Sequence, residues 1–154
     1  MHSVIAPKSR REILVMASAG VAACLLPASF AHATAETVSA EIAKLYAGKK
    51  LIEGRIKLDL PSIAENGLVV PLNFEVESPM TEADYVKAIH FFADENPSPN
   101  VAAFHFTPMS PKAAAAIRIR LAKTQNIIAV AEMSNGDVYT ARQEVKVTIG
   151  GCGG

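Results

Sequence analysis

Residues 127–149 read IIAVAEM-SNGD-VYTARQEVKVTI, and this stretch decides the fold. Two apolar, β-branched runs flank Asn135-Gly136, a dipeptide that is the strongest short-range signal for a β-hairpin. In the second run Val145, Val147 and Ile149 alternate with polar residues, which places them on one face of a strand. The stretch therefore predicts two long antiparallel strands at the C-terminal end of a β-domain.

The same alternation with a period of two recurs through most of the chain that precedes the hairpin. Alternating or apolar runs are separated by Pro, Gly, Asn and Asp, which are typical turn residues. The runs are Ile56–Leu60, Leu72–Val76, Tyr85–Ala93, Val101–Thr107 and Ile117–Leu121, and Pro61–Gly67 is predicted to be a turn. About seven short strands predict an all-β fold, an immunoglobulin-like antiparallel β-sandwich.

A short N-terminal helix precedes the strands in this prediction. Val38, Ile42 and Leu45 recur at helical spacing within residues 35–47, and we expect this helix to cover one side of the sandwich or to pack near a partner. The whole sequence has 50% apolar residues, no tryptophan and a formal net charge of zero. Because no basic stripe with interleaved aromatic residues is present, nucleic acid is not an expected partner.

Residues 1–33 have the organisation of a twin-arginine-type signal peptide. Arg10-Arg11 stands in a basic segment, an apolar run follows, and Ala31-His32-Ala33 is an A-x-A cleavage site. The apolar run is too short for a membrane span. The segment around Cys24 only loosely resembles a lipoprotein box. We expect export by the twin-arginine route to the periplasm, with residues 1–33 removed and a sandwich domain over residues 34–149.

Cleavage after Ala33 leaves 121 residues with one cysteine, Cys152, and 12 basic against 14 acidic residues. An oxidising compartment normally leads cysteines to pair. Since Cys152 has no partner in the mature chain, its thiol is expected to be reactive or intermolecular.

The final residues 150–154 read Gly-Gly-Cys-Gly-Gly, and four of the nine glycines lie there. At a background near 7% glycine, glycine at all four of these flanking positions is expected by chance about twice in 100,000. Glycine has no Cβ and both signs of φ are open to it, so the segment predicts a thin, flexible swinging arm. A thiol on such an arm suits reversible docking into several enzymes better than it suits a fixed catalytic nucleophile.

These features resemble the SoxY family, the thiosulfate carrier subunits of bacterial sulfur oxidation. The resemblance includes the twin-arginine signal and the terminal Gly150-Gly151-Cys152-Gly153-Gly154. Its inner segments are Ile89–Pro97, Phe104–Pro108 and Ala129–Ser134. It implies a covalent sulfur carrier with Cys152 as attachment point, four arm glycines and no cofactor or metal of its own.

The resemblance also implies partners. These are a SoxZ-like subunit forming a heterodimer, a c-type cytochrome that loads thiosulfate, a dimanganese hydrolase that releases sulfate, and a partner that oxidises the remaining sulfane sulfur. The resemblance does not say which sulfur species is preferred or which surface meets each partner.

Two other classes of function stay open from the residues alone. Cys152 could be an enzymatic nucleophile with His90 or His105 as its base, although such histidines beside phenylalanines are more often packing residues. The domain could instead be a passive periplasmic interaction module. Two histidines without a clustered cysteine or carboxylate make a poor metal site.

Overall fold

Residues 32–151 are described by a computed structural model, and they form one helix and nine strands. The helix α1 is Ala35–Tyr46. The strands are β1 (Leu51–Glu53), β2 (Ile56–Asp59), β3 (Ile63–Asn66), β4 (Val70–Val76), β5 (Val86–Ala93), β6 (Asn100–His105), β7 (Ala113–Ile119), β8 (Gln125–Met133) and β9 (Val138–Ile149). In this part of the chain no helix is long and apolar enough to cross a membrane.

The strands form two sheets that pack face to face, which confirms the predicted β-sandwich. The larger sheet has the order β1-β9-β8-β5-β6, and the smaller has the order β2-β4-β7. The β8–β9 hairpin pairs Glu132 with Val138 and Gln125 with Val145, as the Asn135-Gly136 signal predicts. In the smaller sheet, alternate residues of β4 are buried from Val70 to Val76.

The fold departs from the sequence prediction along one edge of the larger sheet. The segment predicted as a turn, Pro61–Gly67, contains strand β3, which pairs in parallel with the end of β9. Strand β1 also pairs in parallel with β9, at its beginning. Strand β9 therefore has both parallel and antiparallel neighbours, so the sandwich is not purely antiparallel. Strand β3 has only one buried residue, Ala64, so it lacks the alternation that marks the longer strands.

The core lies between the two sheets and is centred on phenylalanines. The ring of Phe74 lies 4.9 Å from that of Phe91 and 5.1 Å from that of Phe104, in the tilted geometry that aromatic pairs prefer. Phe91 and Phe74 are almost completely buried. Because these rings join β4 of one sheet to β5 and β6 of the other, they fix how the sheets face each other.

The helix α1 covers the outer face of the larger sheet, as expected. Thr34 begins it with a capping box in which the Thr34 side chain accepts a hydrogen bond from the Thr37 backbone. Val38 and Tyr46 are buried against Phe92 and Val130. The Tyr46 hydroxyl donates to the Val130 carbonyl over 3.2 Å.

His90 lies under the C-terminal end of this helix. Its Nδ1 atom is 2.6 Å from the Tyr46 hydroxyl, and its ring centroid is 5.9 Å from that of His105. Burial lowers the pKa of His90, and the neighbouring His105 lowers that pKa further, while Glu132 opposes both. His90 is thus a half-buried packing residue that holds the helix to the sheet.

Removal of the His90 imidazole should therefore make the free energy of unfolding depend less on pH. The pKa of His90 is lower in the folded than in the unfolded chain, whose value is near 6.5, so the unfolded chain binds more protons in this window. We expect the free energy of unfolding to fall as pH drops through about 6.5, and His90→Gln to reduce this fall. Urea denaturation from pH 8 to pH 5 measures it. Identical pH profiles for both proteins would contradict the prediction.

Candidate functional site

The predicted attachment residue, Cys152, lies outside the described residues, together with Gly153 and Gly154. The structure does describe the chain up to Gly151, the residue bonded directly to Cys152. The site can therefore be built from the end of β9 outward, through Ile149, Gly150 and Gly151. What this base of the arm contacts determines where the thiol is presented.

Three backbone hydrogen bonds tie the base of the arm to two neighbouring segments. Gly67 N–H donates to the Ile149 carbonyl over 2.7 Å, and Leu121 N–H donates to the Gly67 carbonyl over 2.8 Å. Gly151 N–H then donates to the Leu121 carbonyl over 2.8 Å. We call Gly67, Leu121, Gly150 and Gly151 the glycine clamp. It joins the turn after β3, the turn after β7 and the continuation of β9.

The clamp needs glycine at three positions because its backbones touch. A Cβ on Gly67 would collide with the Leu121 carbonyl oxygen, and one on Gly150 would collide with the Ala122 carbonyl oxygen. A Cβ on Gly151 would collide with the backbone of Gly67. The obstacles are backbone atoms, which cannot move aside as a flexible side chain can.

These contacts give a second reason for glycine at the start of the arm. The sequence predicts that Gly150, Gly151, Gly153 and Gly154 provide flexibility. The structure instead packs Gly150 and Gly151 against Ala122 and Gly67, so close approach alone requires glycine there. A bulky substitution at Gly151 would thus disturb the fold as well as the arm, and the flexible-arm role of the glycines stays a prediction.

Buried amide side chains hold the turn that supplies the Leu121 and Ala122 carbonyls. Asn96 Oδ1 accepts hydrogen bonds from Ala122 N–H and from Gln125 Nε2, each over 2.9 Å. Asn96 Nδ2 donates to the Arg120 carbonyl over 2.9 Å. Both amide residues are buried, so each bond is protected from competition by water.

Asp94, two residues before Asn96, is buried although it lies in a segment of turn-forming residues. It is 7% exposed and accepts hydrogen bonds from the backbone and side chain of Asn126. Asp94 therefore fastens the start of β8, and Asn96 fastens the turn after β7, to the segment that follows β5. Sequence reasoning missed both residues, and the turn composition of their segment gave no sign of burial.

The two histidines lie far from the arm. His90 pairs with Val130 of β8, and Val130 pairs with Thr140 of β9. Ile149 lies nine residues beyond Thr140 on β9, which at 3.3 Å per residue is about 30 Å. His105 pairs with Ala88 and so lies two pairs further from the arm than His90. A cysteine side chain next to Gly151 cannot span that distance, so neither histidine is placed to act as its base.

Within the described range 32–151, no group of three or more His, Cys, Asp or Glu side chains could hold a metal ion. The rings of His90 and His105 lie 5.9 Å apart, and Glu132, which acts on the pKa of His90, is engaged by Lys49 and Lys87. In the described residues, the base of the arm is therefore held by backbone hydrogen bonds and by close glycine contacts.

The fold and the site define a small β-sandwich that presents one cysteine directly after a clamped pair of glycines. Residues 42–152 match the family described as sulfur oxidation protein SoxY, and this match extends to the cysteine itself. The chain belongs to the SoxY family, as its sequence resemblance indicated.

Solved structures agree with this assignment. The sulfur carrier protein SoxY from Chlorobium limicola f thiosulfatophilum is 34% identical, with 75% of this chain and 100% of that chain covered and a TM-score of 0.64. A superoxide reductase (neelaredoxin) from Ignicoccus hospitalis is 18% identical, covering 75% of this chain and 94% of that one with a TM-score of 0.54. The latter shares the fold alone. No curated protein matches the chain significantly.

Substitution of Gly67 should test the clamp directly. We expect Gly67→Ala to lower the free energy of unfolding by about 1–3 kcal/mol, because the added methyl group collides with the Leu121 carbonyl. It should also speed hydrogen exchange at the Gly151 amide, whose acceptor is that carbonyl. Urea denaturation and exchange followed by NMR measure the two effects. Glu65→Ala, at an exposed position of β3, is the control and should change neither.

Proposed function

We propose that this chain is a periplasmic covalent carrier of sulfur-oxidation intermediates that uses Cys152 as the attachment point. The observation that carries the proposal is the placement of a lone mature-chain cysteine directly after the glycine clamp, in a chain of the SoxY family. An anchored base with a short thiol-bearing extension presents a bound group outside the sandwich. Such an arrangement suits enzymes that must enclose the group.

The loading step would join the thiol to thiosulfate. A disulfide-type bond forms between the Cys152 sulfur and the outer sulfur of thiosulfate, giving a cysteine S-thiosulfonate. One proton and two electrons leave, and a c-type cytochrome partner takes the electrons. The carrier itself supplies only the thiol, so the activation of that thiol is assigned to the partner's active site.

The next steps would release the oxidised sulfur. A dimanganese hydrolase directs water to the sulfone group, which leaves as sulfate with two protons while Cys152 keeps the sulfane sulfur as a persulfide. A further partner then oxidises or removes that sulfane sulfur. In this scheme the carrier has no catalytic site and no cofactor of its own, and the bound group is a covalent adduct.

The carrier would work as a heterodimer with a SoxZ-like sandwich subunit, and it would be exported by the twin-arginine route. The domain organisation in this proposal is a signal peptide over residues 1–33, a sandwich over 34–149 and an arm over 150–154. Ala33 is buried in the described structure, and its N–H donates to the Asn96 carbonyl. Cleavage after Ala33 would leave Thr34, the N-cap of α1, as the first residue.

The main alternative is a thiol enzyme in which a histidine of this chain activates Cys152. The separation of about 30 Å along β9 between the His90 pairing level and Ile149 opposes it. The passive interaction module is less favoured because it gives no reason to place a cysteine beside three close-packed glycines.

The chemical test is the mass of the carrier purified from its own host. We expect sulfur-containing adducts on Cys152 that a reductant removes, and Cys152→Ser should abolish both the adducts and thiosulfate oxidation. Circular dichroism should be unchanged, because the residue lies beyond β9. If Cys152 stayed unmodified while the host oxidised thiosulfate, the carrier proposal would be wrong.

The export proposal has its own test. N-terminal sequencing of periplasmic material should begin at Thr34, and Arg10→Lys with Arg11→Lys should retain the protein in the cytoplasm. Material that begins at a lipidated Cys24 would contradict both the cleavage site and the single-cysteine count.

A further inference from the structure

The bond at which the signal peptide is predicted to be cut, between Ala33 and Thr34, lies inside the folded domain. Ala33 is 3% exposed, and its N–H donates a hydrogen bond to the Asn96 carbonyl over 2.8 Å. Asn96 is buried as well, and its side chain is fixed by hydrogen bonds to the turn after β7. The residue before the bond is therefore anchored to the sandwich, whereas proteolysis is concentrated at exposed loop tips and loosely held ends.

The residue after the bond is held by the capping box of α1. Thr34 N–H donates to Thr37 Oγ1 over 2.7 Å, and the Thr37 hydroxyl donates to the Thr34 carbonyl over 2.8 Å. The same carbonyl accepts the first hydrogen bond of the helix, from Val38 N–H over 2.9 Å. The backbone N–H and the backbone carbonyl of Thr34 are therefore both engaged within the domain.

A peptidase needs this segment in a different conformation. It binds its substrate as an extended chain with free backbone groups, and pockets take up the neighbouring side chains. Hydrolysis adds water across the Ala33–Thr34 bond, leaving a carboxylate on Ala33 and an amino group on Thr34, so the enzyme must reach both residues. In the folded domain Ala33 is buried and the helix begins at Ala35. The Ala33–Asn96 contact and the first turn of α1 must therefore open before the bond can be cut.

From these contacts we infer that the folded domain protects its own signal peptide from removal, and that the Ala33–Thr34 bond is cut only when the first turn of α1 opens. The inference rests on the proposed export and deepens it, because the twin-arginine route usually carries chains that are already folded. When opening and closing are fast relative to cleavage, the cleavage rate is proportional to the population of the open form. The helix cap then sets how long the exported chain keeps its signal peptide.

Opening of this segment does not require the sandwich to unfold. Among residues 32–37 only Ala33 is buried, and it does not belong to the core between the sheets. The rest of α1 is held separately, because Val38 and Tyr46 pack against the outer face of the larger sheet. The Tyr46 hydroxyl also bonds to the Val130 carbonyl. The first turn can therefore detach in a local opening of low free energy while the remaining turns stay in place.

The test follows cleavage of the folded, full-length precursor by the host's signal peptidase. The precursor is purified from the cytoplasm with Arg10→Lys and Arg11→Lys, which leave the cleavage site unchanged. Thr37→Val removes the hydroxyl that holds both backbone groups of Thr34, and it keeps a β-branched side chain at an exposed position. The matched control is Thr107→Val, the same change at an exposed position in the loop after β6.

We expect Thr37→Val to speed cleavage of the folded precursor about fivefold, the rise in the open population that loss of one hydrogen bond produces. Hydrogen exchange at the Thr34 amide should rise by the same factor. Thr37→Ser, which keeps the hydroxyl, and Thr107→Val should be cleaved at the rate of the unsubstituted precursor.

A synthetic peptide of residues 26–42 separates protection by the fold from the preference of the peptidase for particular residues. The peptide lacks the sandwich, so its cleavage should be at least about tenfold faster than that of the folded precursor, because two hydrogen bonds and the burial of Ala33 are absent. Peptides with and without Thr37→Val should be cleaved at the same rate. This comparison uses the unsubstituted precursor, so it also serves if the variant does not fold.

Two results would overturn the inference while leaving the export route and the carrier function intact. One is cleavage of the folded precursor as fast as that of the peptide. The other is mature protein that begins at His32, because the cut would then lie ahead of the buried residue. A precursor that reaches the periplasm in spite of Arg10→Lys and Arg11→Lys would instead overturn the proposed export route, and the inference with it.

Discussion

The hydrogen bond from Gly151 N–H to the Leu121 carbonyl fixes the position of the last described residue before Cys152. It is possible only because Gly67 and Gly151 bring two backbones into contact without a Cβ between them. The Leu121 carbonyl is held in turn by Asn96, through the turn that follows β7. The position of the arm therefore depends on contacts among three segments that are distant in sequence.

In the proposed carrier, an anchored base and a thiol that must reach several enzymes place opposite demands on the chain. A long free arm loses more conformational entropy at each docking event, whereas a fully fixed cysteine could not enter an enclosed site. The structure holds Gly150 and Gly151 in close backbone contacts, so in the proposed carrier only the residues from Cys152 onward would enter a partner.

The sequence predicted the hairpin, the sandwich and the helix because each depends on short-range patterns. Asn135-Gly136 and the alternation of Val145, Val147 and Ile149 needed no knowledge of distant residues. The parallel pairing of β3 and the role of Gly67 could not be predicted, because they depend on contacts with β9, some 80 residues away in sequence. The burial of Asp94 and Asn96 was missed for the same reason. Cys152 was singled out from composition alone, and its role stays a prediction.

The resemblance to superoxide reductases places this sandwich in a fold that supports unrelated chemistry, so function must be argued from the site. In the described residues, the two ends of β9 make different kinds of contact. Near its beginning, Tyr46 and His90 hold the helix to the sheet, and the lowered pKa of His90 follows from that burial. Near its end, backbone contacts hold the arm. Because about 30 Å of strand separates the two ends, Tyr46 and His90 stabilise the fold at a distance from the segment that leads into Cys152.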